Sequence, residues 1–561
     1  MSFNGVSFDL SSVFGAVAAA VPCQRVVIWR DCDISYAQMD ARIDGFAHYL
    51  TSIGLGCHTE RERLRGHESG QDHLGIYLRN GNEYLEAMIG ACRSRVAPFN
   101  VSFRYVEEEL LYLLNDANAT ALIYNAEFAP RVAALRDRLP QLRVLIQVAD
   151  SSGNELLPGA VDYEHALVTP TPAAGMPTPS GDDLYILYTG GTTGMPKGVL
   201  WRQHDIFMSA MGGRPFGADQ PLRSYAELTE QARTHAGVRS ILMIPPLMHG
   251  AAQWAAVNVI TTGGWLAIPD DVDCFNAESA LRLAERERVL NIPVVGDAIA
   301  RPLLDEIETG KYDLSGLLSI SNGGAPLSPT VRQRLLAALP NLLILDAVGA
   351  SESGMQMTTM ATVQSQTPAA TFTPQDDTAV IAADFSRVLQ SGQGEGWLGR
   401  RDLIPLGYLN DADKTARTFP TIDGVRWSVP GDRARILHDG SVELLGRDSV
   451  TINTGGEKIF AEEVERAIAA HPAVYDVVVV GRPSERWGNE VVAIVQFAAG
   501  EAASDDELIE CCHRYIARYK VPKAFIRTPK VLRSPAGKAD YRWAKRTAAE
   551  NLTAGDPVST T

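Results

Sequence analysis

The chain has 561 residues, 45% hydrophobic and 21% charged, with a formal net charge of −16. This is globular composition with length for more than one domain, and its acidity argues against sequence-independent nucleic-acid binding, although a local basic loop can still hold one nucleotide. Seven scattered cysteines (Cys23, Cys32, Cys57, Cys92, Cys274, Cys511 and Cys512) form no Cys-x-x-Cys pair, which disfavours a metal ribbon or a disulfide framework and fits a reducing cytoplasm.

In chain order, the apolar stretch Val13 to Pro22 is short and has no Lys or Arg before it, so it reads as a helix rather than a signal peptide. Nothing approaches the ~20 continuous apolar residues that span a bilayer. Residues 57–72 are a charged interruption, read as a solvated surface loop. Short β-branched runs at Leu74–Leu78, Ala121–Tyr124, Val144–Val148, Tyr185–Tyr188, Ile241–Ile244, Leu317–Ile320 and Leu342–Leu345 alternate with amphipathic stretches such as Val106–Leu114 and Val331–Leu339. That alternation predicts an α/β architecture with largely buried sheets. Residues 171–182 form a Pro/Ala/Gly-rich loop leading to the most informative segment.

That segment runs from Leu187 to Trp201: an apolar strand, then a loop with Thr189, Gly190, Gly191, Thr192, Thr193 and Gly194, then Lys197. Glycines let backbone N–H groups approach an anion, hydroxyls add donors and the lysine adds a point charge, a combination suited to a triphosphate. It is not a Walker A loop, because Pro196 precedes the lysine and Gly198 follows it. Further along stand Ser321-Asn-Gly-Gly-Ala-Pro326, Val348-Gly-Ala-Ser-Glu352 and Trp427-Ser-Val-Pro-Gly-Asp432. Near 446 the pattern restarts. A helix over Glu462–Ala469, strands over Val477–Val480 and Val491–Phe497, and a helix over Asp505–Tyr515 predict a second domain of ordinary size. Its last motif is Arg533-Ser-Pro-Ala-Gly-Lys538, and the tail after about Ala548 reads as frayed.

The loop and the ordered motifs from about 187 to 542 resemble the adenylate-forming superfamily of acyl-CoA synthetases, peptide-synthetase adenylation domains and beetle luciferases. The resemblance implies a large α/β N-terminal domain of packed sheets, residues 1–446, and a small mobile α+β C-terminal domain, residues 447–561. It implies ATP, Mg²⁺ and coenzyme A. Thr189 to Gly194 and Lys197 would hold phosphates. Gly323, Gly324, Ala325 and Pro326 would lie along the adenine and the acyl tunnel. Val348 and Gly349 stand where the family has an aromatic residue and glycine. Ser351 would bind the α-phosphate, and Glu352 would ligate Mg²⁺. Asp432 and Arg447 would hold the ribose. Gly455, Gly456, Glu457 and Lys458 would line the CoA channel, with Ser449 at the hinge. His249 would lie by the substrate carboxylate, with a satisfied core histidine as the alternative. Lys538 matches the catalytic lysine. Tyr541 departs from the family's usual arginine.

Within the superfamily, Val96–Tyr105, Gly296–Pro302 and Leu532–Trp543 resemble ligases of steroid side-chain and related long acids. Ala251 and Ala252 could leave room for a bulky acyl group or be ordinary packing residues. The expectation is an ATP-dependent acyl-CoA synthetase acting on a sterol acid or similar lipid acid, cytoplasmic, with a homodimer as the base-rate assembly. The alternatives are a medium- or long-chain fatty acyl-CoA ligase and, from another class, an inactive nucleotide-binding paralogue.

Overall fold

The computed structural model describes residues 6–189, 195–215, 217, 220–272, 274–365, 370–454, 457–484, 488–533 and 537–551. The N-terminal helix Leu10–Ala20 buries Leu10, Val13, Phe14 and Val17, the spacing of one helical face, and the Asp9 carboxylate caps it by accepting from the Ser12 N–H at 2.8 Å.

Two sheets make the large part. In the first, strands His73–Tyr77, Ala97–Asn100, Ala121–Asn125 and Val144–Val148 run parallel, and all residues of His73–Tyr77 and Ala97–Asn100 are buried. Burial on both faces explains why these runs read as continuous apolar segments rather than alternating ones. The antiparallel pair Leu184–Thr189 and Lys197–Arg202 continues this sheet. In the second, Arg25–Trp29, Trp265–Ile268, Ser240–Leu242, Asn291–Val294, Ser319–Gly323 and Leu343–Ala350 are parallel neighbours. It then turns antiparallel through Gly354–Ala361 and extends to strands Asp432–Ile436 and Val442–Arg447.

The small part has its own core. Ile452, Val464, Ile468, Val477, Val479, Val491, Val495, Leu508 and Phe525 form one cluster, on helix Ala461–Ala469 and the sheet of Val474–Ser484, Gly488–Phe497 and Ala524–Arg527. The chain is therefore a mixed α/β protein with a large N-terminal and a small C-terminal domain, as the sequence predicts.

Residues 57–72 form a surface loop, as the sequence predicts, with His58, Glu60, Glu62, Arg63 and Arg65 exposed, and pairing holds it down. His58 Nε2 lies 2.6 Å from Asp72 Oδ2, Glu60 pairs with Arg95 at 2.8 Å, and the Asn410 N–H donates to the His67 carbonyl at 2.8 Å. Charge here is spent on tertiary pairs that local sequence cannot show. Helix Tyr541–Glu550 buries Ala544 and Ala548, and residues 552–561 of the tail that reads as frayed lie outside the described residues.

Glu465, on the helix of the small domain, accepts from the Val479 N–H at 2.8 Å and from the Tyr541 hydroxyl at 3.4 Å. Burial raises its pKa from 4.5 to about 8, with Glu462 and Asp476 adding to the shift and Arg533 opposing it. The folded state keeps a proton that the unfolded chain releases, so this residue's contribution to stability is present below about 4.5 and is lost as pH rises toward about 8. Glu465→Gln is expected to flatten this loss. Thermal unfolding of the full chain on either side of that window, variant against parent, checks it.

Candidate active site

The hairpin that begins the site is set by register. Thr189 pairs with Lys197 and Tyr188 with Gly198, so the Gly/Thr segment is the turn between two strands. Gly190, Gly191, Thr192, Thr193 and Gly194 lie outside the described residues. Lys197 begins the second strand. Its Nζ lies 3.2 Å from Asp116 Oδ1, 4.0 Å from Asp411 Oδ2 and 5.9 Å from the centre of the Tyr112 ring. Burial works against its charge, but Tyr112 and Asp116 more than offset that and raise its pKa. Asp116 also accepts from the Tyr112 and Tyr188 hydroxyls, at 3.2 and 2.9 Å. Asn100 ties this hairpin to the next element: its amide donates to the Tyr188 and Met248 carbonyls at 2.9 and 2.7 Å.

His249 follows Met248 and stands at the start of helix Gly250–Ile260. Its Nε2 is buried and has no hydrogen-bond partner among the described residues. Burial lowers its pKa to about 4, with the charges of Lys538 and Arg104 acting in the same direction. It is therefore a neutral imidazole near physiological pH and not a satisfied core histidine. Of the two alanines beside it, Ala252 is buried in the core and only Ala251 is exposed.

Ser351 and Glu352 occupy the tight turn between Leu343–Ala350 and Gly354–Ala361. The indole N–H of Trp201 donates to the Ser351 carbonyl at 2.8 Å, and the Ser428 hydroxyl donates to the Glu352 carbonyl. The Tyr408 hydroxyl donates to Glu352 Oε1 at 2.7 Å, and the Lys414 ammonium lies 4.1 Å from the centre of the Tyr408 ring. Val348 pairs with Met357 just before a bulge at Gly349, and it packs against the cluster of Met357, Phe372 and Val380. Gly323 ends strand Ser319–Gly323, and Gly324, Ala325 and Pro326 follow as a loop held by Asn322. The Asn322 amide donates to the Ala325 carbonyl at 3.1 Å and to Asp346 at 2.8 Å, and its oxygen accepts from the Gly296 N–H at 2.8 Å.

Asp432 and Arg447 face each other in register on neighbouring strands, and Arg447 Nε donates to Asp432 Oδ1 at 3.1 Å. The backbone N–H of Arg447 donates to Glu462 Oε2 at 2.9 Å. Asp432 and then Glu352 and Glu462 raise the pKa of Arg447 against the cost of burial. Lys538 reaches this group from the far end of the chain. It is still reached by water, yet it is hemmed in by protein: burial first and the Arg447 charge second lower its pKa, while Glu352 and Asp432 oppose them. Gly537 explains how the loop can lie so close. It has φ of +72°, and a Cβ there would sit 2.7 Å from the Val295 carbonyl of the large domain.

The fold thus brings Lys538, Glu352, Asp432, Arg447 and His249 into one electrostatic neighbourhood. Gly455 and Gly456 lie outside the described residues. Glu457 and Lys458 lie on strand Glu457–Phe460, paired with Thr451–Thr454, and Ser449 lies in the short turn Asp448–Val450. Sequence reasoning missed Asp116, Tyr408 and Lys414. Only the Gly407-Tyr-Leu-Asn-Asp411 run offered a local signal for Tyr408.

A small domain laying one lysine over a Glu, Asp and Arg cluster at the edge of a large two-sheet domain is the architecture of an adenylate-forming enzyme. The chain belongs to the AMP-binding enzyme family, whose model matches residues 14–399, and the model of the AMP-binding enzyme C-terminal domain matches residues 463–538. It is 56% identical to the medium-chain acyl-CoA ligase Mig of Mycobacterium avium, over 98% of this chain and 100% of that protein. It is 38% identical to a 3-oxocholest-4-en-26-oate–CoA ligase of Rhodococcus rhodochrous, over 93% of each chain. Its fold is similar to that of ATP-bound MatB from Rhodopseudomonas palustris, with a TM-score of 0.77, 19% identity, and coverage of 96% of this chain and 99% of that one.

Proposed function

We propose that the chain is an AMP-forming acyl-CoA ligase for aliphatic lipid acids, and that residues 1–446 bind ATP and the acid while 447–561 carry the lysine of the first step. The observation that supports this best is the convergence of Lys538 on Glu352, Asp432 and Arg447. A carboxylate is already ionised at neutral pH, so the first step needs no general base. The difficulty is bringing it against a polyanion. Lys538 bridges the carboxylate and the α-phosphate, Ser351 donates to the α-phosphate, Asp432 accepts from the ribose hydroxyls, and Lys197 exchanges Asp116 for a phosphate oxygen. The carboxylate oxygen bonds to the α-phosphorus as its bond to the bridging oxygen breaks, and pyrophosphate leaves with that electron pair. This is catalysis by positioning and preorganised charge. In the second step the thiolate sulfur of CoA bonds to the acyl carbon, the acyl C–O bond breaks and AMP leaves.

Glu352 fits a Mg²⁺ that arrives with the nucleotide. Mg²⁺ favours one or two carboxylates completed by phosphate oxygens and water, and no group of three His, Cys, Asp or Glu that could hold a metal occurs among the described residues. When bound there, the ion neutralises phosphate charge. His249, neutral and with an unpaired Nε2, orients the acid. No helix among the described residues is long and apolar enough to cross a membrane. The seven unpaired cysteines support a reducing cytoplasmic location.

The 56% relative favours a medium-length linear acid, and the 38% relative supports a sterol acid as a second reading. The test is ATP- and CoA-dependent AMP release across short, medium and long fatty acids, aryl acids and sterol side-chain acids. Highest kcat/KM on medium linear acids is the expected result. Preference for a sterol acid would move the assignment to the second reading, and no AMP with any acid would overturn the enzyme assignment.

A further inference from the structure

The loop that delivers Lys538 is fastened at its base. Arg533 Nε donates to Asp476 Oδ2 at 2.8 Å and Nη2 to Asp476 Oδ1 at 2.6 Å, a fork on one carboxylate. The same guanidinium donates through Nη1 to the Gly537 carbonyl at 3.3 Å and through Nη2 to the Val477 carbonyl at 3.5 Å. Arg533 and Ala539 also face each other as an isolated antiparallel bridge, and the Asp540 N–H donates to the Leu532 carbonyl at 3.2 Å. Arg533 and Asp476 are 19% and 14% exposed, so this pair is screened far less than a surface ion pair.

The Gly537 carbonyl is half of the peptide unit that joins Gly537 to Lys538. Holding that oxygen fixes the plane from which the Lys538 side chain departs. Asp476 lies on strand Val474–Ser484 of the small domain's sheet. The guanidinium therefore couples the lysine loop to the rigid body of that domain. Burial opposes the Arg533 charge, but Asp476 first and then the large domain's Asp297 favour it.

We propose that Arg533, forked on Asp476, is a positioning residue for Lys538 that serves adenylate formation and not thioester formation. This rests on the reading that Lys538 acts in the first step. A side chain placed about 1 Å off its productive geometry can cost ~10²-fold in rate, and nothing else described bridges the Gly537 carbonyl to the domain's sheet. Arginine is specific to the task, because lysine offers a point charge and not a fork that can serve a carboxylate and a carbonyl together.

The test uses the full chain with octanoate as the probe acid and measures two rates separately. One is pyrophosphate release from ATP and octanoate, and the other is octanoyl-CoA formation from synthetic octanoyl-adenylate and CoA. Arg533→Ala and Asp476→Asn are each expected to slow the first by roughly 10- to 100-fold and to change the second less than about 3-fold, with Arg533→Lys intermediate in the first. Equal loss of both rates, or loss of neither, would overturn the proposal. Should Arg533→Ala fail to fold, the isosteric Asp476→Asn decides alone. Lys538→Ala run alongside separates the two levels. If it splits the half-reactions and the clamp variants do not, only the positioning role fails. If Lys538→Ala itself does not split them, the reading beneath it fails.

Discussion

Lys538→Ala is expected to lower adenylate formation by about 10²–10³-fold, the cost of deleting one preorganised charge from a site that stabilises a developing anion. Thioester formation from a preformed acyl-adenylate should change little, because by then the carboxylate has been neutralised as a mixed anhydride and the phosphoryl charge has stopped developing. Rapid-quench measurement of the two half-reactions decides between this division of labour and a purely structural lysine, which would lower both. The pH dependence follows from the same residue. Lys538 must carry its proton to bridge two anions, and burial lowers its pKa from 10.5. Adenylate formation should therefore fall on the alkaline side before an ordinary lysine would titrate, and Lys538→Ala should lose that limb. His249 titrates near 4, so it should contribute no acid limb above that value.

What could be read from the chain alone was whatever the chemistry writes locally. A phosphate loop needs glycines, hydroxyls and a cation within a few residues, so Lys197 and its neighbours stand out without any fold. Lys538 was legible only through the resemblance of its motif to the adenylate-forming superfamily, since a lysine in a Pro-Ala-Gly loop is otherwise a solvated surface residue. The partners of these residues were not. Asp116 meets Lys197 across 81 positions and Tyr408 meets Glu352 across 56, and apart from the Gly407–Asp411 run nothing in their own segments marks them. The charged stretch 57–72 is exposed as its charge predicts, but its pairing was not legible: His58 meets Asp72 within the stretch, Glu60 pairs with Arg95, and His67 meets the segment carrying Tyr408. Val348 lies between the two. The missing ring was visible in sequence, but its packing against Met357 and Phe372 required the bulge at Gly349.

The second large effect is expected at a residue that touches no substrate. Arg400 is fully buried and serves as the floor of the turn that carries Ser351 and Glu352. Its Nη1 donates to the Ser353 and Met355 carbonyls at 2.7 and 2.9 Å and to the Ser209 hydroxyl at 2.6 Å, while Nη2 donates to Asp377 Oδ2 at 2.9 Å. Burial lowers the pKa of Arg400 and Asp377 opposes that shift, so the ion pair is what keeps a charge here tolerable. Gly354 completes the arrangement: with φ of +66°, it lets the turn lie where a Cβ would meet Ser209 Oγ at 2.1 Å. Arg400→Met leaves Asp377 and two carbonyls buried without this donor, and breaking one side of a buried pair costs about 3–5 kcal/mol. Thermal or urea unfolding should show that loss in the large domain's transition, with the small domain's transition unmoved because its core is separate. The double change Arg400→Met with Asp377→Leu should recover much of it, since replacing both partners removes the stranded carboxylate. Activity should not recover with stability. The Ser353 and Met355 carbonyls would still lack the guanidinium, so the Glu352 turn would stay unanchored and the KM for ATP would remain raised. If the double variant regained both stability and ATP affinity, Arg400 would be a packing element only and not the support that holds Glu352 in place.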